Sequence, residues 1–181
     1  MDPEPYHSFG NGSAMRVSPA GFAAKSLEEA KLLSRKITEV THDHPEGVKG
    51  AEAVVVAIYM ARTGSTLQEI RDVIDQDYYP MDFTLDAIRP TYEFDVTCQG
   101  SVPQALMAFF ESTSFEDAIR NAISIGGDSD TIAAICGSVA EAYYGVSEKL
   151  RKQTLMFLDE RLLKILLDFE KVYPPIVEKR V

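Results

Sequence analysis

Residues 47–62 read GVKGAEAVVVAIYMAR, and from Val54 to Met60 this stretch is apolar on nearly every face of a helix. A surface helix keeps a polar stripe, so one that lacks it belongs at the centre of a helical core. The flanking segments agree. Upstream, Ser26-Leu27-Glu28-Glu29 has the spacing of a capping box, and Leu27, Ala30, Leu33, Ile37 and Val40 follow at helical intervals. Downstream, Thr66-Leu67-Gln68-Glu69 repeats the signal, with Leu67, Ile70, Val73 and Ile74 as its apolar face.

The same logic carries to the C-terminal side. Ser101-Val102-Pro103-Gln104 predicts a helix start with Pro103 near the first turn, and Ser114-Phe115-Glu116-Asp117 predicts another. That second helix runs to Gly126-Gly127, and a further one runs from Asp128 to near Gly145. The segment from Ser147 reads as one last helix, carrying Leu150, Leu158, Leu162, Ile165, Phe169 and Val172 before Pro174 stops it. Residues 75–97 read as a structured loop, with a weak strand signal over Tyr92–Val96. The expected fold is all-α, a single domain over residues 1–181.

Composition bounds the function. The chain has 181 residues, 45% of them hydrophobic, enough for a sizeable core. A formal charge of −10 speaks against nucleic acid as partner, because phosphate binding needs clustered Lys and Arg. Its two cysteines, Cys98 and Cys136, have neither disulfide-framework nor zinc spacing. No apolar run approaches the ~20 residues of a membrane span, and the N-terminus lacks the regions of a signal peptide. A cytoplasmic domain with no membrane partner is the expectation.

Four stretches carry candidate chemistry. In GDSDT, Asp128, Asp130 and Thr131 offer two carboxylates and a hydroxyl, the oxygen donors that hard cations take. The plainer reading is an N-cap and an acidic first turn, which the helix dipole favours in any case. In FGNGSAMR, residues 9–16, Gly10-Asn11-Gly12 tolerate positive φ and offer either an anion-binding nest or an ordinary turn. In THDHPEG, residues 41–47, His42 and His44 suit a metal, a ligand or a helix end. The fourth, CQGSVPQA, joins a glycine turn to a helix N-terminus.

In this order, FGNGSAMRVSP, THDHPEG, FDVTCQGSVPQALMAFFES and FEDAIRNAISIGGDSDTIAAICGSVAEAYYG resemble the later blocks of the ADP-ribosylglycohydrolase family, of the dinitrogenase reductase-activating type. The resemblance runs from Phe9 to Gly145. It implies a compact orthogonal all-α domain with a two-Mg²⁺ site, Mn²⁺ being the other candidate ion. It implies that Asp128, Asp130 and Thr131 are metal ligands, with Asp128 and Asp130 also catalytic. Gly10, Asn11, Gly12 and Ser13 would lie along ADP-ribose, and His42 and His44 would line it. The reaction would be hydrolysis of the glycosidic bond between ADP-ribose and a protein side chain or small molecule.

The sequence departs from the family pattern in one respect. No Asp-Asp pair or Thr-Asp-Asp motif occurs in the chain, so by the resemblance half of the family's metal ligands, with its N-terminal helices, would be missing from it. Three expectations follow. The chain is a fragment of a longer enzyme, or it pairs with a second chain or another copy of itself that supplies the missing half, or it is a non-catalytic ADP-ribose-binding or interaction module. His42-Asp43 would also begin an HD-type phosphohydrolase motif, but the only upstream histidine is His7.

Overall fold

The computed structural model describes residues 4–177. The helices are α1 (Gly12–Met15), α2 (Ser18–Ala23), α3 (Leu27–Thr38), α4 (Pro45–Arg62), α5 (Leu67–Asp77), α6 (Leu85–Ile88), α7 (Cys98–Phe110), α8 (Phe115–Ser124), α9 (Ser129–Tyr144), α10 (Glu148–Leu155) and α11 (Glu160–Val172). Among the described residues there are isolated bridges but no strand, which bears out the all-α reading.

Helix α4 is the hub. Ala53 to Ile58 are fully buried, and α1, α2, α3, α5, α7 and α9 all pack on it. Two glycines set the closest approaches. A Cβ on Gly21 of α2 would lie 2.5 Å from Ile58 Cγ2, and one on Gly50 of α4 would lie 2.6 Å from Cys98 Sγ. Leu106, Phe109, Ile132, Ile135 and Val139 from α7 and α9 complete the core.

The caps behave largely as their spacing predicts. Ser26, Thr66 and Ser114 each accept the backbone N–H three residues on, and Thr66 and Glu69 form a full reciprocal box. One cap of this kind is worth about 1 kcal/mol.

Four local readings are corrected. Helix α7 starts at Cys98, because Thr97 Oγ1 takes the Gly100 N–H at 3.0 Å, one turn before the Ser-x-x-Gln spacing that imitates a box. Pro103 therefore lies inside the helix. Tyr92–Val96 forms no strand; a lone antiparallel bridge joins Gly10 to Thr97 instead. The 75–97 stretch contains the end of α5 and the short α6. The C-terminal stretch is two helices, since Asp159 Oδ1 accepts the Leu162 N–H at 2.8 Å and starts α11 afresh.

Neither α10 nor α11 buries a residue. Leu162, Ile165 and Phe169 of α11 instead line a cavity of about 430 Å³ shared with Phe22 of α2 and Glu141 of α9. An Arg151–Glu170 ion pair ties α10 to α11, and Val146 N–H reaches the Ile176 carbonyl at 3.0 Å. Burial, with Glu170 nearby, raises the Glu141 carboxyl above its ordinary range. No helix among the described residues is long and apolar enough to cross a membrane.

Candidate functional site

Asp128 occupies the N-cap of α9, behind a reversal that only glycine makes cheaply. Gly126 and Gly127 have φ of +74° and +65°, and a Cβ on Gly127 would lie 2.5 Å from Tyr92 Cε1. Yet the Asp128 side chain accepts no backbone N–H of its own helix. Its Oδ2 instead accepts the side-chain amide of Asn11 at 2.8 Å, across 117 residues. Asn11 holds the N-cap position of α1 and likewise makes no cap bond. Every helix from α3 to α8, and α10 and α11, has a capping side chain, so these two residues stand apart by bonding each other. A hydrogen bond to a charged carboxylate, about 1.5–3 kcal/mol, outweighs the cap of about 1 kcal/mol that Asp128 forgoes.

Asn11 is buried, and its amide also donates to Ser101 Oγ at 3.1 Å, so one side chain links α1, α7 and α9. Asp130 is exposed in the first turn of α9. Thr131 is buried, with its hydroxyl 3.8 Å from Met15 Sδ.

The Gly10–Ser13 turn is built differently from a nest. None of Gly10, Asn11 and Gly12 has positive φ. Two of its amides are already bonded, Gly10 N–H to Ser8 Oγ at 3.1 Å and Asn11 N–H to the Val96 carbonyl at 2.7 Å. With Cys98 N–H on the Phe9 carbonyl at 3.0 Å, these bonds staple the turn to the start of α7. The glycines matter for approach. A Cβ on Gly12 would sit 3.4 Å from His42 Nε2, and one on Gly10 would sit 3.6 Å from it, covering that nitrogen. Ser13 turns inward and donates to the Gly47 carbonyl at 2.9 Å, beside the Cys98 thiol. Burial pushes that thiol up to about 11, which leaves it protonated at neutral pH.

The two histidines part company. His44 caps α4, its Nδ1 accepting the Glu46 N–H at 3.1 Å, while its ring packs on Phe9. His42 is buried against the turn, and burial and the nearby Arg16 charge hold its pKa below the ordinary histidine value. The structure thus gathers Gly10, Asn11, Gly12, His42 and Asp128 around one turn. Through Met15, Thr131 borders it.

Spacing did not reveal Ser101, Tyr92 or Asp95. The Tyr92 hydroxyl donates to the Gly100 carbonyl at 2.7 Å, and burial together with Asp95 and Asp128 raises its pKa to about 12. Asp95 Oδ1 accepts the Thr97 N–H at 2.7 Å, and its carboxylate fills the space where a Gly100 Cβ would stand. A glycine beside an aromatic-acidic loop was the available signal.

Asp128, Asp130 and Thr131 match a hard divalent cation in kind, since all are oxygen donors. In number they supply part of a shell: among the described residues no group of three or more His, Cys, Asp or Glu stands close enough to hold an ion.

Comparison with known proteins shows the family and the fold. A profile of the ADP-ribosylglycohydrolase family matches residues 1–172. ADP-ribosylhydrolase ARH3 of Homo sapiens is 27% identical over 187 residues, covering 78% of this chain and 52% of that protein. ADP-ribosylarginine hydrolase Tri1 of Pseudomonas putida (strain GB-1) is 29% identical over 145 residues, covering 76% of this chain and 39% of that protein. A solved structure of an ADP-ribosylglycohydrolase-related protein complex superposes with a TM-score of 0.70 at 23% identity, over 94% of this chain and 62% of that one. The chain spans about half the length of the curated relatives it matches.

Proposed function

The chain belongs to the ADP-ribosylglycohydrolase family, and from that premise we propose that it forms the Asp128-bearing part of a Mg²⁺-dependent site that hydrolyses the glycosidic bond between ADP-ribose and a protein side chain or small molecule. The observation that carries the reading is the Asp128 carboxylate, which leaves its own helix uncapped to face the Gly10–Gly12 turn.

Cleavage at the ribose anomeric carbon develops oxocarbenium-like positive charge, and a water must reach the open face of the sugar. Asp128, held by Asn11 through Oδ2, keeps Oδ1 for a ligand. Asp130, exposed in the first turn of α9, adds a second carboxylate beside it. Together they stabilise the developing charge and orient the incoming water, whose proton a carboxylate accepts. Gly10 and Gly12 put no Cβ over His42 Nε2, the side from which the sugar-phosphate would approach. A divalent cation held by Asp128, Asp130 and Thr131 would supply a template for ribose hydroxyls and a water of lowered pKa.

Because the chain's own donors are part of a shell, a second chain or a further segment supplies the remaining ligands. The same shortfall favours a second reading, an ADP-ribose-binding module without turnover. Release of ADP-ribose from a modified protein with Mg²⁺ present separates the two. Turnover that Asp130→Ala abolishes supports the hydrolase. Tight ADP-ribose binding with no release, alone or with added partner, supports the module.

A further inference from the structure

Behind His42 stands a relay that the proposed hydrolysis does not use. Arg16 Nη2 lies 2.6 Å from Thr41 Oγ1, and Thr41 Oγ1 lies 2.6 Å from His42 Nδ1. The direction of these bonds follows from the donors. A guanidinium only donates, so Thr41 Oγ1 accepts from Arg16. The hydroxyl keeps one proton and a second lone pair, so His42 Nδ1 at 2.6 Å can accept from it or donate to it. With the Arg16 cation behind the hydroxyl, the chain in which each group donates to the next is favoured, and it leaves Nδ1 unprotonated and the imidazole proton on Nε2. Nε2 is the atom nearest to where a Gly12 Cβ would stand.

We propose that Arg16 and Thr41 act as positioning residues that fix His42 in the neutral Nε2–H tautomer, presenting one hydrogen-bond donor to an oxygen of the ligand seated at the Gly10–Gly12 turn. The inference rests on the reading that ADP-ribose occupies that turn.

Three further observations fit. Arg16 also donates to the Ile37 carbonyl at 3.4 Å, at the C-terminal end of α3, where a cation meets the negative end of the helix dipole. His42 N–H is bonded to the Thr38 carbonyl at 2.8 Å, so the backbone that carries the ring is fixed as well. Burial and the Arg16 charge both disfavour imidazolium, which keeps the ring neutral at pH 7. The chain thus uses a cation to keep its histidine uncharged and a hydroxyl to choose its tautomer. A neutral donor recognises a phosphate or ribose oxygen by direction, which a freely rotating cation does not.

The test is ¹⁵N NMR of histidine-labelled protein at pH 7, with no ligand added. The expected His42 signals are a pyridine-type Nδ1 and a pyrrole-type Nε2. The Thr41→Val variant loses that preference, and Thr41→Ser keeps it. The opposite tautomer in the wild type, or an imidazolium at pH 7, overturns the relay without touching the hydrolase reading. A second arm titrates ADP-ribose. Thr41→Val is expected to bind it about twofold to tenfold more weakly, the range of one hydrogen bond, with Thr41→Ser restoring wild-type affinity. Equal affinity in wild type and Thr41→Val overturns the donor role. The expected tautomer with no ADP-ribose binding at all overturns the proposed ligand and leaves the relay standing.

Discussion

Asn11→Ala removes the amide that donates to Asp128 Oδ2 at 2.8 Å and to Ser101 Oγ at 3.1 Å. The first bond goes to a carboxylate, so its loss costs about 1.5–3 kcal/mol. Ser101 still donates to the Thr97 carbonyl, so the second loss adds little. At ~2–4 °C per kcal/mol for a chain of this size, the melting temperature should fall by roughly 3–12 °C. Asn11→Asp is the sharper variant, because it sets two carboxylates at hydrogen-bonding distance. Like charges so placed raise the pKa of the pair. A carboxyl whose folded pKa lies above its unfolded value costs nothing when both states are protonated, and its cost grows as pH rises through the folded value. The gap between Asn11→Asp and wild type should therefore be small near pH 4 and widen toward pH 7. Differential scanning calorimetry across that range is the assay. A melting temperature unchanged in both variants, or a gap for Asn11→Asp that shrinks as pH rises, would refute the contact between Asn11 and Asp128.

Other consequences are more local. Gly21→Ala drives a methyl to 2.5 Å from Ile58 Cγ2 and should destabilise by about 1–3 kcal/mol through overpacking, read by urea unfolding. Glu141→Gln should raise stability at pH 7, since the half-buried carboxyl's raised pKa penalises its ionised form. The gain should fade as pH drops below the unfolded carboxyl range, and a gain independent of pH would contradict the assignment. Cys98 and Cys136 are buried thiols with raised pKa values, so iodoacetamide at pH 8 should label neither until the protein is unfolded, as mass spectrometry would show.

What the sequence revealed follows the range of the forces involved. Helix α4 was legible because an all-round apolar stretch has no other stable place, and the Ser26, Thr66 and Ser114 caps were legible because capping acts within one turn. The start of α7 was misread for the same local reason, since Ser101 and Thr97 both carry hydroxyls suited to a cap. The break between α10 and α11 was hidden by an apolar stripe that continues across it, and only the Asp159 cap marks it. At the site, GDSDT and FGNGSAMR were legible as motifs, but the reason for each residue was not. Asp128 reads as a cap until Asn11 arrives from 117 residues away. Gly10 and Gly12 read as turn formers until His42 is seen against them. Arg16 and Thr41 carry no local signal at all, because their partnership exists only once α1 meets the end of α3.

The central claim is that Asp128 faces a ligand site and does not cap its helix. Isothermal titration of Mg²⁺, with ADP-ribose present, into wild type and Asp128→Asn tests it most directly. The account predicts binding by the wild type that weakens at least roughly tenfold in the variant, a loss of about 1.4 kcal/mol or more. Equal binding by both proteins would contradict it.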